Sequence, residues 1–175
     1  MGIDKNLVFI PCKIAVLTVS DTRNDDDDTS GDILKKFIID AGHVFKSKKI
    51  IKDNLSEIII ELENLINTSS VDIILTTGGT GLTSRDVTPE AIQPLLDKTI
   101  PGIEESMRSY GQNRTPYAML SRSVVGMIES TLVLALPGSS KGALESLNAI
   151  FPAVLHLFDI IKGAKHYKWL VKNIF

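Results

Sequence analysis

Val71 to Gly81 read VDIILTTGGTG. Val71 to Thr77 is a short apolar run rich in β-branched residues, the pattern of a strand covered on both faces. It stops at Gly78-Gly79-Thr80-Gly81, where three glycines in four positions let the chain turn tightly and approach a ligand closely. Successive N–H groups in such a turn form a concave anion site, and the Thr80 hydroxyl adds a donor. A plain surface turn would have the same composition. The loop is not a Walker A motif, since no Gly-Lys-Ser/Thr follows, and it lacks the Gly-x-Gly-x-x-Gly spacing of dinucleotide folds.

Upstream, Lys13 to Ser20 (KIAVLTVS) reads as a second buried strand, followed by a polar loop from Asp21 to Thr29. Thr29 or Ser30 is placed to cap a helix carrying Ile33, Leu34, Phe37, Ile38 and Ala41 at helical spacing, with Gly42 as its stop. Val44 to Ile51 is a strand whose lysines suit a partly exposed position. Asn54 opens a helix with Leu55, Ile58, Ile59, Leu62, Leu65 and Ile66 inward. Strand-helix-strand-helix-strand predicts a parallel sheet with helices on its faces.

Downstream, Thr88 is read as a cap, with Pro89 first in the helix and Glu90 in its first turn. A short helix is expected over Glu104 to Tyr110. Ser123 to Ile128 and Thr131 to Leu136 read as a hairpin joined by Glu129-Ser130, although that pair is not a favoured turn. Pro137-Gly138-Ser139 then leads into a long apolar helix to about Lys162, which Pro152 should kink or split. Trp169, Leu170 and Phe175 in the tail are expected to pack on the body or on a neighbouring subunit.

No linker or repeat divides the 175 residues, and 43% of them are hydrophobic, so one domain over residues 1–175 is expected. The formal net charge of −2 offers no basic excess for nucleic acid or an anionic membrane. Cys12 is the only cysteine, which excludes an internal disulfide, and its neighbourhood suits a small buried hydrophobe. Met1 to Asn6 lack the basic-then-apolar run of a signal peptide, and no stretch reaches the roughly 18 apolar residues of a membrane span. A cytoplasmic protein is expected. His43, His156 and His166 share no zinc-ligand spacing, and no Gly-x-Ser-x-Gly elbow is present.

Ligands of open parallel sheets bind outside the carboxyl ends of the strands. That rule gathers Ser20 and Asp21, Asp53, Gly78 to Asp86, and Pro137 to Ser139 on one edge. Asp86 follows the glycine loop closely. A carboxylate beside a phosphate cradle is repulsive unless a hard cation such as Mg²⁺ lies between them. Its blander reading is a helix cap. Asp53 is placed to approach from the second strand, or else to form an Asx turn. Arg85, Arg122 and Lys141 are candidate counter-charges for phosphates, and Asp25 to Asp28 read as a solvated acidic run.

Taken together, Val19-Ser20-Asp21, the Thr77 to Gly81 loop, Arg85-Asp-Val-Thr-Pro-Glu90, Thr115 to Ser123 (TPYAMLSRS) and Leu136-Pro-Gly138 resemble the molybdopterin adenylyltransferase family. These are the MoaB/MogA proteins and the related gephyrin G domain, and Asp28-Thr-Ser-Gly31 and Ala135 to Ser139 look closest to the MoaB branch. The resemblance covers about Lys13 to Lys162. It implies a three-layer α/β/α sandwich with a mostly parallel sheet and a short antiparallel hairpin, assembled as a homo-oligomer, trimer or hexamer. The implied activity is a nucleotidyltransferase step in molybdenum cofactor biosynthesis: Mg²⁺-dependent transfer of AMP from ATP to molybdopterin, releasing pyrophosphate. By matching position Asp53 and Asp86 take the catalytic and metal-holding roles. Gly78, Gly79, Thr80 and Gly81 cradle phosphates, and Ser121, Arg122, Pro137, Gly138 and Ser139 line the nucleotide and pterin site. Ala135 stands where the adenylyltransferase branch often has Asn, so a non-catalytic carrier is the alternative, as is an oligomeric scaffold.

Overall fold

The structure, a computed structural model, describes residues 11–161. Its centre is a six-stranded sheet: β1 (Lys13–Val19), β2 (Val44–Ile51), β3 (Ile73–Thr77), β4 (Lys98–Thr99), β5 (Val125–Ile128) and β6 (Thr131–Leu136), in the spatial order β2-β1-β3-β6-β5-β4. The strands β2, β1, β3 and β6 run parallel, whereas β5 pairs antiparallel with β6, and β4 antiparallel with β5. The helices are α1 (Thr29–Asp40), α2 (Leu55–Ser69), α3 (Thr88–Ile92), α4 (Pro101–Gln112), α5 (Ser140–Ile150) and α6 (His156–Ile161).

The continuous apolar strands are explained by the two-residue period of a pleated sheet, which sends successive side chains to opposite faces. Ile14 and Val16, Ile73 and Leu75, and Leu132, Leu134 and Leu136 point to one face, where Leu34 and Ile38 of α1, Met107 of α4 and Leu147 of α5 meet them. Ala15, Leu17 and Val19, Ile74, Val133 and Ala135 point to the other, covered by Ile58, Leu62 and Leu65 of α2 and Ile92 of α3. Both faces are sealed, so the strands have no polar side. The result is the three-layer α/β/α sandwich. Lys46, Lys48 and Lys49 of β2 are accounted for by its place on the sheet edge.

Several local expectations need correction. The cap of α1 is neither Thr29 nor Ser30 but Asp28, whose carboxylate accepts from Gly31 N at 2.9 Å. Asp25 to Asp27 are exposed as expected for an acidic run, but Asp28 is buried. It accepts from the Thr18 hydroxyl at 2.8 Å and faces the Lys48 ammonium at 3.4 Å, which offsets the cost of burying a charge. Thr88 does not cap α3. Val87 holds the N-cap position without a side-chain bond, and Thr88 Oγ1 donates to the Gly78 carbonyl at 2.9 Å. The final helix, by contrast, is split at Pro152 as expected, its first piece ending at Ile150. A cis Phe151–Pro152 bond and a 3₁₀ turn at Ala153–Leu155 separate it from α6, and the two helical pieces are bent by 60°.

The helix expected from Glu104 starts three residues earlier, at Pro101, and the two-residue β4 carried no sequence signal. The unfavoured Glu129-Ser130 turn is made with Glu129 at φ 53°, its N–H held by Asp97 Oδ2 at 2.6 Å. Trp169, Leu170 and Phe175 lie outside the described residues. No single helix among the described residues is long and apolar enough to cross a membrane.

Register places the carboxyl ends of the parallel strands side by side: Val19 pairs with Ile51, Thr18 with Thr77, and Thr77 with Leu136. The chain leaves β1 for one face through α1 and returns by α2 on the other face before entering β3. Strand order therefore reverses between β1 and β3, and a crevice opens at that switch point.

Candidate functional site

Gly78 and Gly79 begin the loop after β3 at φ +105° and +62°, where L side chains are strained. A Cβ on Gly78 would overlap the Val19 carbonyl oxygen, and one on Gly79 would overlap Thr88 Oγ1. Only glycine lets the turn press against β1 and α3 in this way. The loop carbonyls are all drawn into the protein. Gly78 O accepts from Thr88 Oγ1 at 2.9 Å, Gly79 O from Thr88 N at 3.1 Å, Thr80 O from Arg122 N at 3.2 Å, and Gly81 O from Arg122 Nε at 2.7 Å. Gly78 N donates to Leu136 O at 3.3 Å. Among the described residues no acceptor engages the amides of Gly79 and Thr80. Fixed amides with carbonyls facing away are what an anion requires.

Both sequence-predicted aspartates reach this turn. Asp53 Oδ1 lies 3.0 Å from where a Gly79 Cβ would stand, and Asp86 Oδ2 lies 2.9 Å from the corresponding point on Gly81. The two acids thus flank a single tripeptide. Asp86 is not a helix cap: its carboxylate turns back to accept from Thr83 Oγ1 at 2.6 Å and Thr83 N at 2.8 Å. The Thr83 hydroxyl bond holds the Asp86 carboxyl below the usual carboxylate range, against some burial. Asp53 is displaced the other way, upward, first by burial and then by the charge of Asp86. Its N–H donates to Asp21 Oδ1 at 3.2 Å.

That pair defines what a metal could find here. No group of three or more His, Cys, Asp or Glu among the described residues forms a cage. Mg²⁺ commonly takes one or two carboxylates and completes its shell with water and substrate phosphates. Two acids that repel each other across an amide-lined turn fit such a shared ion, and a cation would relieve the strain on ionised Asp53.

Arg122 sits at the loop, but its guanidinium is spent on the protein. Nε donates to Gly81 O and Nη2 to Asp86 O, each at 2.7 Å, and Nη1 pairs with Glu90. It braces both ends of the Gly81–Asp86 segment. Arg85 pairs with Asp21, and Lys141 lies exposed at the start of α5. Ser121 and Ser123 share a hydroxyl contact at 2.8 Å. In the last loop, Pro137 O accepts from Thr77 Oγ1 at 2.8 Å, and Ser139 caps α5 by accepting from Gly142 N at 3.2 Å. Gly138 packs so closely on Gly78 that an added Cβ would stand 3.2 Å from Gly78 Cα. Arg23, which the sequence did not single out, donates to Gly138 O at 3.0 Å and ties the first loop to the last.

Beside the turn lies a cavity of about 420 Å³, within the range of small-molecule sites. Gly79 to Gly81, Asp86, Ser121 and Pro137 to Ser139 all border it. Asp53 is not on its wall and approaches the loop from the β2 side. Arg108 of α4 and Glu145 and Ser146 of α5 also line it, and the sequence reading missed them. The available signal was helical spacing: Ser139, Gly142 and Ser146 fall on one face of α5.

Residues 15–156 match the family described as a probable molybdopterin binding domain. The chain is 42% identical over 134 residues to molybdenum cofactor biosynthesis protein B of Escherichia coli strain K12, covering 76% of this chain and 79% of that protein. It superposes on the crystal structure of a molybdopterin biosynthesis protein from Mycobacterium abscessus with a TM-score of 0.81 at 35% identity, over 87% of this chain and 97% of that one. The tungsten cofactor synthesizing protein MoaB from Pyrococcus furiosus aligns with a TM-score of 0.78 at 32% identity, over 90% and 99%. By the match over residues 15–156 and by these identities, this chain belongs to the molybdopterin-binding domain family of molybdenum cofactor biosynthesis, among its MoaB-like members.

Proposed function

We propose that the protein is a molybdopterin adenylyltransferase, with ATP as co-substrate and Mg²⁺ as the required ion. The observation that carries this reading is the meeting of two acceptor-free amides, at Gly79 and Thr80, with Asp53 and Asp86 on either side. Amides alone would suit any anion. Amides flanked by two carboxylates suit a polyanion that arrives with a divalent cation. Asp53 and Asp86 would hold Mg²⁺, which would supply neutralisation of the phosphate charge.

The chain's own part is positioning. Gly79 and Thr80 hold phosphate oxygens, Thr83 keeps Asp86 ionised and aimed, and Arg122 fixes the loop. A phosphate oxygen of molybdopterin attacks the α-phosphorus of ATP. The α–β bridging P–O bond breaks, pyrophosphate leaves, and a new P–O–P linkage joins AMP to the pterin. Ser121 and Pro137 to Ser139 line the cavity where the pterin would lie.

Ala135 does not favour the carrier reading: it is fully buried in β6, within the sheet core, where the residue has no access to a ligand. The same proposal takes residues 1–175 as one domain, cytoplasmic and assembled as a trimer or hexamer. The exposed Tyr117 and Leu120 at the cavity, with the exposed Met119 between them in sequence, support self-association.

The test is pyrophosphate release from ATP with molybdopterin and Mg²⁺. Sustained turnover is expected, falling at least about 100-fold in Asp53→Asn and in Asp86→Asn, or about 2.7 kcal/mol of transition-state stabilisation. Turnover within twofold of wild type would remove that aspartate from the mechanism. No release by the wild type would leave the carrier or scaffold.

A further inference from the structure

The cavity is also lined by a carboxylate with no part in phosphate chemistry. Glu145 of α5 lines the same space as the glycine turn, and its side chain is only 18% exposed. Ser139, which caps α5 at the phosphate end, lies six residues earlier, or about 9 Å along the helix axis at ~1.5 Å per residue. A cavity bordered both by anion-binding amides and, further along α5, by a carboxylate suits a dipolar ligand.

We infer that Glu145 reads the 2-amino-4-oxo edge of the pterin ring, and so selects a pterin over other bicyclic heterocycles. This rests on the molybdopterin reading above. The pterin edge presents two adjacent donors, the 2-amino group and N3–H, which match the two oxygens of a carboxylate as a guanidinium fork does. The span from α5's cap to Glu145 suits a fused pterin ring system with a phosphate on a short arm: phosphate beside the Ser139 cap, next to the triphosphate on the glycine turn, and amino edge at Glu145.

The competing role for Glu145 is an ion pair that fastens α4 to α5. Its charged partner among the described residues is Arg114, whose Nε stands 3.5 Å from Oε1, longer than a hydrogen bond of ordinary strength. Arg114 is otherwise committed. Nη1 donates to Tyr110 O at 2.7 Å, and the guanidinium lies over the Tyr110 ring at 3.6 Å. Arg114 thus approaches one oxygen of Glu145 and leaves lone pairs on both for a ligand.

Fluorescence titration of the full chain with 6-hydroxymethylpterin and with 6-hydroxymethyllumazine tests this. The lumazine replaces the 2-amino donor by a carbonyl. Wild type should prefer the pterin at least about 10-fold, the discrimination one charge-assisted hydrogen bond carries. Glu145→Gln, whose amide can present either donor or acceptor, should lose that preference while melting close to wild type. Arg114→Leu removes the ion pair and keeps the carboxylate, so it should retain the preference. A Glu145→Gln protein that still prefers pterin, or an Arg114→Leu protein that does not, overturns the inference. A wild type without preference overturns it too. In that last case, turnover with molybdopterin in the pyrophosphate assay shows that the adenylyl-transfer reading survives alone, and absence of turnover shows that both fall.

Discussion

Arg122→Leu separates two roles that the sequence could not. If the guanidinium served a phosphate, the ligand-free protein would be indifferent to its loss. In the structure it donates to the Gly81 and Asp86 carbonyls at 2.7 Å each, and pairs with Glu90. Glu90 is 48% exposed at its side chain, so that pair contributes at most about 1 kcal/mol. Charge-assisted bonds to carbonyls are worth ~1.5–3 kcal/mol each. Water reaches part of this side chain, 31% exposed, so the lower end applies. The sum is about 3 kcal/mol, equivalent to ~6–12 °C in melting temperature for a domain of this size. Arg122→Lys keeps the charge but not the planar fork, cannot span both carbonyls, and should recover about half. Thermal melts of ligand-free protein decide the matter. A variant melting within about 1 °C of wild type, yet no longer stabilised by ATP and Mg²⁺, would refute the brace.

The two aspartates should move stability in opposite directions. Folding raises the Asp53 pKa, so its ionised form opposes the fold, and that penalty is relieved as pH falls through the raised value. Asp53→Asn should therefore stabilise the metal-free protein at pH 7, with the gain vanishing in acid. Folding lowers the Asp86 pKa, so its contribution is present above the ordinary carboxylate value and lost as pH falls through the folded one. Asp86→Asn should destabilise at pH 7. Melts of both variants from pH 3 to 7 without metal check the signs, and shifts in the same direction would contradict the electrostatics. Asp28→Ala leaves Lys48, 14% exposed, without a buried partner and uncaps α1, so urea unfolding should show a loss of about 3 kcal/mol.

The sheet and the edge that gathers the loops were legible because buried parallel strands are continuous apolar runs, as in β1, β3 and β6. Gly78 to Gly81, Asp53 and Asp86 could be grouped once those strands were placed, since the rule about carboxyl ends needs only topology. The role of Arg122 was not legible, because its partners are backbone carbonyls, which have no signature in side-chain identity. Asp28 was hidden for a different reason. Three solvated aspartates precede it, and only the fold brings Thr18 and Lys48 to the fourth. Thr88 satisfies every rule for a cap, yet its hydroxyl is taken by Gly78 O, a tertiary bond that overrides the local one. Glu145 escaped because the cavity wall is assembled from α4, α5 and the Thr115 to Ser123 segment, and no single stretch announces it.

In the proposed reaction Asp53 and Asp86 hold a divalent ion against a triphosphate seated on the glycine turn. Calorimetric titration with α,β-methylene ATP, which cannot be cleaved at the reacting bond, measures it directly. Binding in Mg²⁺ is expected to weaken at least about 10-fold when EDTA replaces the metal, and comparably in Asp53→Asn with Mg²⁺ present. Equal affinity with and without metal, unchanged by the substitution, would contradict it.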